Sequence, residues 1–270
     1  MSGLTSAFTS PKEKWFEKFA RFGLTSKGVV YFLMGALSVL AALGLNKENG
    51  DKSEAFKVIY GQPFGQVLLI AIAVGLLGYV MLRMFQAIKN TEKKDNDLKG
   101  ILDRIGFGMS AVLYLTIGAY AFKLALGGSG GGESGRQFIV SKVLEYPAGE
   151  YIIGIASLIV IGMGIYQITR GITGSFMKKV NVSSKMKDAF KTAGTLGYIS
   201  RGIVLAIIGY FMLHAAWLSN PGEAQGTGAA FDFLQNNFGS FMMAVVALGL
   251  AGYGVFCFVK AKYQKIDIDF

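Results

Sequence analysis

Apolar residues gather along this chain in six runs: 28–45, 66–86, 107–126, 151–168, 202–219 and 239–259. Each is roughly 18–22 residues long, the length a helix needs to cross about 30 Å of hydrocarbon. None contains Asp or Glu. Backbone exposed to lipid must satisfy its own hydrogen bonds, so the runs are predicted to be membrane-spanning helices. The polar stretches between them become loops and interfacial segments.

The runs fall into three copies of one pattern. Gly23, Gly106 and Gly197 each stand twelve residues before a second glycine, Gly35, Gly118 and Gly209, and each pair opens an apolar run. Downstream, Pro63-Phe64-Gly65, Pro147-Ala148-Gly149 and Asn237-Phe238-Gly239 open the returning run. The first glycine recurs after 83 and 91 residues and the last triplet residue after 84 and 90. Two markers that keep step identify an internal repeat. The predicted architecture is all-α: a cytoplasmic segment at 1–15, then two-helix repeats at 16–90, 99–174 and 190–265. Two spans per repeat give all three the same orientation, and such parallel repeats are related by an axis along the membrane normal. A pseudo-threefold bundle follows. Small residues one turn apart, Ala71 with Gly75, Gly202 with Ala206 and Ala247 with Ala251, are expected at its close helix contacts.

Smaller amphipathic segments decorate the repeat. Trp15, Phe16, Phe19, Ala20 and Phe22 share a helical face opposite Lys12, Lys14, Lys18 and Arg21, which predicts a helix lying at the headgroup level. Ahead of the triplets, stretches containing Phe56, Val140 and Phe231 predict short helices tucked back onto the bundle. The glycine-rich stretch 127–132 reads as a tether. It lacks the Lys-Ser/Thr of a phosphate loop. The Lys-rich start followed by an apolar run resembles a leader peptide. The run is longer than a leader's and belongs to a repeat, so it is expected to be retained.

Charge orients the bundle. The chain carries a net +10, with hydrophobic residues at 52% and charged residues at only 16%, too few to cover a globular surface of this size. The termini and the loops near 87–106 and 169–201 hold 21 of the 27 Lys and Arg, counting Arg83 with the loop it adjoins. Acidic residues divide almost evenly, so the two sides carry about +12 and −2 by this count. This asymmetry predicts cytoplasmic termini and, for a bacterial chain, insertion in the inner membrane. Basic residues that alternate with spans do not form the single surface a nucleic acid requires, so no nucleic-acid partner is expected.

These residues resemble a bacterial membrane family known as domain of unknown function 1206 (DUF1206), which carries three tandem two-helix repeats. The resemblance rests on Arg21-Phe22-Gly23 with Gly28-Val29-Val30-Tyr31, and on Arg104-Ile105-Gly106 with Ala111-Val112-Leu113-Tyr114. Pro63-Phe64-Gly65, Ile165-Tyr166-Gln167 with Arg170-Gly171, and Pro221-Gly222-Glu223-Ala224 extend it. The third repeat departs, with Thr195 and Leu205 where the pattern has Arg and Tyr. The resemblance implies the architecture and no activity.

Candidate chemistry is sparse. One cysteine, Cys257, and one histidine, His214, exclude disulfide and metal-ligand patterns, and no cofactor is expected. Hydrolase motifs and paired intramembrane carboxylates are missing, so no enzymatic role is expected. Arg83 and Arg170 are placed near the cytoplasmic ends of returning spans, where long side chains snorkel to the interface. Lys27, Arg104 and Arg201 are placed at the starts of outgoing spans, where they would form a basic ring for phospholipid headgroups, with Arg21 just before. Tyr31, Tyr114, Tyr166 and Tyr253, with Gln167, Thr116 and Thr169, read as interhelical hydrogen bonds or as a polar lining. Glu223 could pair with His214. The expected function is a non-enzymatic membrane component that binds anionic phospholipid at the cytoplasmic face or scaffolds a membrane-protein partner. The alternative is a small-solute channel or transporter along the axis, lined by Tyr166 and Gln167.

Overall fold

The computed structural model describes residues 11–45, 50–88, 98–128, 133–180 and 184–264. The first ten residues of the predicted N-terminal segment and most of the 127–132 tether lie outside them. The described chain folds into α1 (Pro11–Ala42), α2 (Lys52–Tyr60), α3 (Gly65–Ile88), α4 (Leu98–Ala125), α5 (Glu133–Leu144), α6 (Gly149–Ile172), α7 (Ser184–Trp217) and α8 (Thr227–Tyr263). Six of these, α1, α3, α4, α6, α7 and α8, are long and apolar enough to cross a membrane. This is a multi-pass membrane protein of three two-helix repeats.

The outgoing helices begin well before the apolar runs do. Nothing between Pro11 and Val29 breaks the backbone, so the predicted flat entry segment is instead the first part of α1, with Phe16 and Ala20 buried and Trp15 exposed. The three short helices ahead of the triplets are present. They are α2, α5 and the first turns of α8, and Phe56, Val140 and Phe231 are all buried. Asp51 starts α2 by accepting a hydrogen bond from the Glu54 amide at 2.7 Å, the usual role of an N-cap carboxylate. In α8 the turn into the span is made by Gly239 at φ 83°, a conformation open to glycine at little cost.

Neighbouring repeats join cyclically: α3 packs on α4, α6 on α7, and α8 on α1. The sequence explains these seams. A Cβ on Gly35 would meet the Ala251 amide at 2.3 Å, and one on Gly209 would meet Ile161 at 2.6 Å, so only glycine allows the approach. Gly118 sits at the third seam against Leu76 more loosely, where a Cβ would make an ordinary contact at 3.5 Å. At the face carrying both ends of the described chain, the terminal face, each seam is closed by a residue two before the repeat's first glycine. Arg21 donates to the carbonyls of Ala261, Lys262 and Gln264, Arg104 to those of Ala87 and Ile88, and Thr195 to that of Gly171. These carbonyls end α8, α3 and α6, where a cation also meets the negative end of the helix dipole. The departure at Thr195 thus keeps the contact with a single hydroxyl.

Within repeats the threefold relation breaks. In repeat 1 α1 packs on α3, and in repeat 3 α7 packs on α8, but α4 and α6 of repeat 2 share no comparable interface. Gly75 lies against Ser26 and Gly249 against Ser200, matched contacts of a small residue with a serine. Repeat 2 has Ile159 and Met109 at the corresponding positions. Likewise a Cβ on Gly23 would collide with Tyr79 and one on Gly197 with Tyr253, whereas Gly106 faces open space. Bulk at the crossing points holds α4 and α6 apart. The bundle is a ring of six spans with one seam missing.

Candidate functional site

The axis of the ring is filled by tyrosines and cations. Lys27, midway along α1 and only 2% exposed, donates from Nζ to the Tyr79 hydroxyl at 2.9 Å. The same nitrogen lies 4.5, 4.9, 5.2 and 5.8 Å from the ring centres of Tyr79, Tyr114, Tyr253 and Tyr31. Arg201, midway along α7, donates to the hydroxyls of Tyr31 at 3.1 Å and Tyr253 at 3.4 Å. Tyr114 donates to Tyr31 at 2.9 Å. A desolvated cation costs several kcal/mol unless it is compensated. Cation–π contacts of about 2 kcal/mol each, once desolvated, allow a tyrosine cage to take the place of a carboxylate.

Arg83 completes the cluster. Its Nε donates to the Tyr79 hydroxyl at 2.7 Å and its Nη1 to Gln86 at 2.7 Å. The Tyr79 oxygen therefore accepts from two cations, and its own proton is left to donate elsewhere.

Superposing the repeats shows what repeat 2 lacks. Lys27 and Arg201 correspond to Ser110, and Tyr79 and Tyr253 correspond to Met163. The missing cation and ring leave a cavity of about 450 Å³ between α4 and α6. Arg83, Arg170, Arg201, Tyr79, Tyr166, Gln167 and Tyr253 line it, with Ser110, Met109, Ile159 and Met163. No Asp or Glu occurs among its described lining residues. The Gln167 carbonyl oxygen is buried there without a hydrogen-bond partner. Ile105, Ile159 and Tyr166 are more than 40% exposed, so the cavity opens sideways through the gap. A small polar recess adjoins it, where Gln86, Arg170 and Lys260, one repeat position in three copies, meet Arg83 and Gln264.

This placement revises several sequence expectations. Lys27 and Arg201 are not at the starts of spans but deep in the bundle, because α1 and α7 begin more than a dozen residues earlier. The spans are therefore not devoid of deep ionisable groups. The expected ring of Lys27, Arg104 and Arg201 does not form. Arg104 and Arg21 cap neighbouring helices instead, and the basic residues that do come together are Arg83, Arg170 and Lys260, in the polar recess beside the cavity. Tyr31, Tyr114 and Tyr253 do bond across helices. Thr116 and Thr169 bond only within their own helices, to Leu113 and Tyr166. Tyr166 and Gln167 line the side cavity rather than a central pore. Tyr79, Ser110 and Lys260 were not among the residues the sequence singled out. Aligning the repeats residue by residue would have exposed them.

A second cavity, of about 640 Å³, continues away from the terminal face along the same gap. Met109 lines both. Val112, Leu113, Ile152, Ala156 and Met212 form its apolar body, and α5 covers it through Ile139, Val140 and Val143. Asp51, Lys52, Ser53 and Arg136 stand at its far end. Burial holds the Lys52 ammonium below the ordinary lysine value, with Arg136 and Arg201 adding to the effect against Tyr31 and Asp51. Folding thus disfavours its charged form, and this cost to stability is greatest at low pH and relieved as pH rises through the lowered value. Nearby, His214 Nδ1 lies 3.2 Å from Glu223 Oε2, the pairing suggested by their positions in the chain. Among the described residues no group of three or more His, Cys, Asp or Glu is placed to hold a metal ion.

Comparison with known proteins agrees with the repeat. The family described as Domain of Unknown Function (DUF1206) matches three times, at residues 22–90, 105–174 and 196–264. An uncharacterized protein of Bacillus subtilis (strain 168), YxxB, is 33% identical over 256 residues, covering 93% of this chain and 92% of its own length. No solved structure matches.

Proposed function

The chain belongs to the DUF1206 family, and from that premise we propose that it is a non-enzymatic membrane component that holds the anionic headgroup of a lipid in the gap between α4 and α6. One observation carries this reading: three guanidinium groups, Arg83, Arg170 and Arg201, converge on a carboxylate-free cavity that opens towards the lipid side of the bundle. Guanidinium groups suit phosphate because their planar N–H forks match its oxygens. The terminal face is the basic one, which supports cytoplasmic termini and a lipid drawn from the cytoplasmic leaflet. In intact cells, an impermeant thiol reagent should label Gly44→Cys from outside; labelling only after lysis reverses the orientation.

Binding of phosphatidic acid from mixed micelles tests the headgroup reading, beside phosphatidylcholine and inorganic phosphate. We expect phosphatidic acid to bind and phosphatidylcholine not to compete. The Arg83→Gln/Arg170→Gln variant should lose about tenfold or more, roughly 1.4 kcal/mol. Binding of inorganic phosphate alone would make this a free-anion site, and binding of neither would remove the reading. The channel alternative has less support. Its route, the axis, is occupied by Lys27, Tyr31, Tyr79, Tyr114 and Tyr253, all buried and in ring-to-ring contact or hydrogen-bonded.

A further inference from the structure

We infer that the second, apolar cavity houses an acyl chain of the same lipid, so that the gap in repeat 2 reads a long-chain anionic lipid along its whole length. The inference rests on the headgroup reading above. Three observations carry it. The two cavities adjoin at Met109, which lines both, and both follow the α4–α6 gap. Their characters are matched to one molecule: the end near the terminal face is cationic, and beyond Met109 the wall is Val112, Leu113, Ala156 and Met212. Their joint reach along α4, from Ile105 to Tyr120, is roughly 22 Å at 1.5 Å per residue. Half the hydrocarbon core measures about 15 Å. The apolar part, from Met109 to Tyr120, takes up about 16 Å of that reach at the same rise, which matches the depth of one leaflet's chains.

The far end is closed to further travel. Helix α5 lies over it, the Gln137 side chain donates to the Gly222 carbonyl at 3.3 Å, and Ser53 meets Tyr120 hydroxyl to hydroxyl at 2.5 Å. A chain that enters beside Met109 therefore meets an end covered by α5 and occupied by Asp51, Lys52, Ser53 and Arg136, and these polar groups set an upper limit on its length. The apolar body excludes the headgroup from the middle of the gap, and the carboxylate-free set of Arg83, Arg170 and Arg201, against Lys52 and Arg136 beside Asp51 at the far end, gives the lipid's direction: phosphate towards the terminal face, chain away from it.

The test compares dihexanoyl with dioleoyl phosphatidic acid, both in detergent below the competing concentration, on the wild-type chain and on Ala156→Phe and Val112→Trp. These two substitutions narrow the apolar cavity from opposite walls without touching the arginines. We expect the wild type to prefer the dioleoyl lipid by at least tenfold. Each variant should bring dioleoyl affinity down to the dihexanoyl level and leave dihexanoyl binding unchanged. Equal affinity for the two lipids, or a dioleoyl affinity indifferent to both substitutions, overturns the chain inference while leaving the headgroup reading intact. Failure of the wild type to bind either lipid removes both. Matching thermal unfolding midpoints for the variants and the wild type exclude misfolding as the cause.

Discussion

Repeats 1 and 3 close on themselves, while repeat 2 does not, although all three follow one sequence pattern. The difference lies in four positions. Where repeats 1 and 3 have serine against glycine and a tyrosine beside a cation, repeat 2 has Met109, Ile159, Met163 and Ser110. The first two are larger than their counterparts and push α4 and α6 apart. The last two are smaller or less polar and leave the resulting space unfilled. Internal repetition therefore gives this protein both a scaffold and a site: each copy supplies one arginine, and the second also supplies the vacancy they face.

The comparison can be broken most sharply at the first glycines. Valine at Gly23 or Gly197 must displace the Tyr79 or Tyr253 backbone, so each should lose about 2–3 kcal/mol of stability through overpacking. Gly106→Val meets nothing and should stay within about 0.5 kcal/mol of the wild type. Thermal unfolding in detergent measures all three, and an equal loss at Gly106 would show that repeat 2 closes in solution. A smaller effect sharpens the point. Ser110→Lys with Met163→Tyr restores to repeat 2 the pair found in its neighbours. It should fill the cavity and weaken phosphatidic acid binding about tenfold, near 1.4 kcal/mol, with little change in unfolding. Undiminished binding would mean that the vacancy is not the site.

Much of this was legible in the chain. The apolar runs give the six spans, and the glycine and triplet spacing gives the three repeats, because close backbone approach leaves few choices of residue. Phe56, Val140 and Phe231 could be picked from amphipathic spacing alone. The depth of Lys27 and Arg201 could not, since hydropathy places a helix end at the first cation, and the tyrosine cage that tolerates those cations comes from four different helices. The open seam was written in Met109 and Ile159, but one substitution for a small residue reads as a variant until both partners of the crossing are known.

The missing seam also sets how the molecule can deform. Each half of the ring, α1 with α3 and α4 on one side and α6 with α7 and α8 on the other, is packed internally, and the halves meet along α1 and α8 and through the tyrosine axis. On the α1–α8 line Gly28 and Gly254 bring backbone nearly onto backbone. Such a line resists sliding, and a rotation about it would part α4 from α6 before it disturbed the packing inside either half.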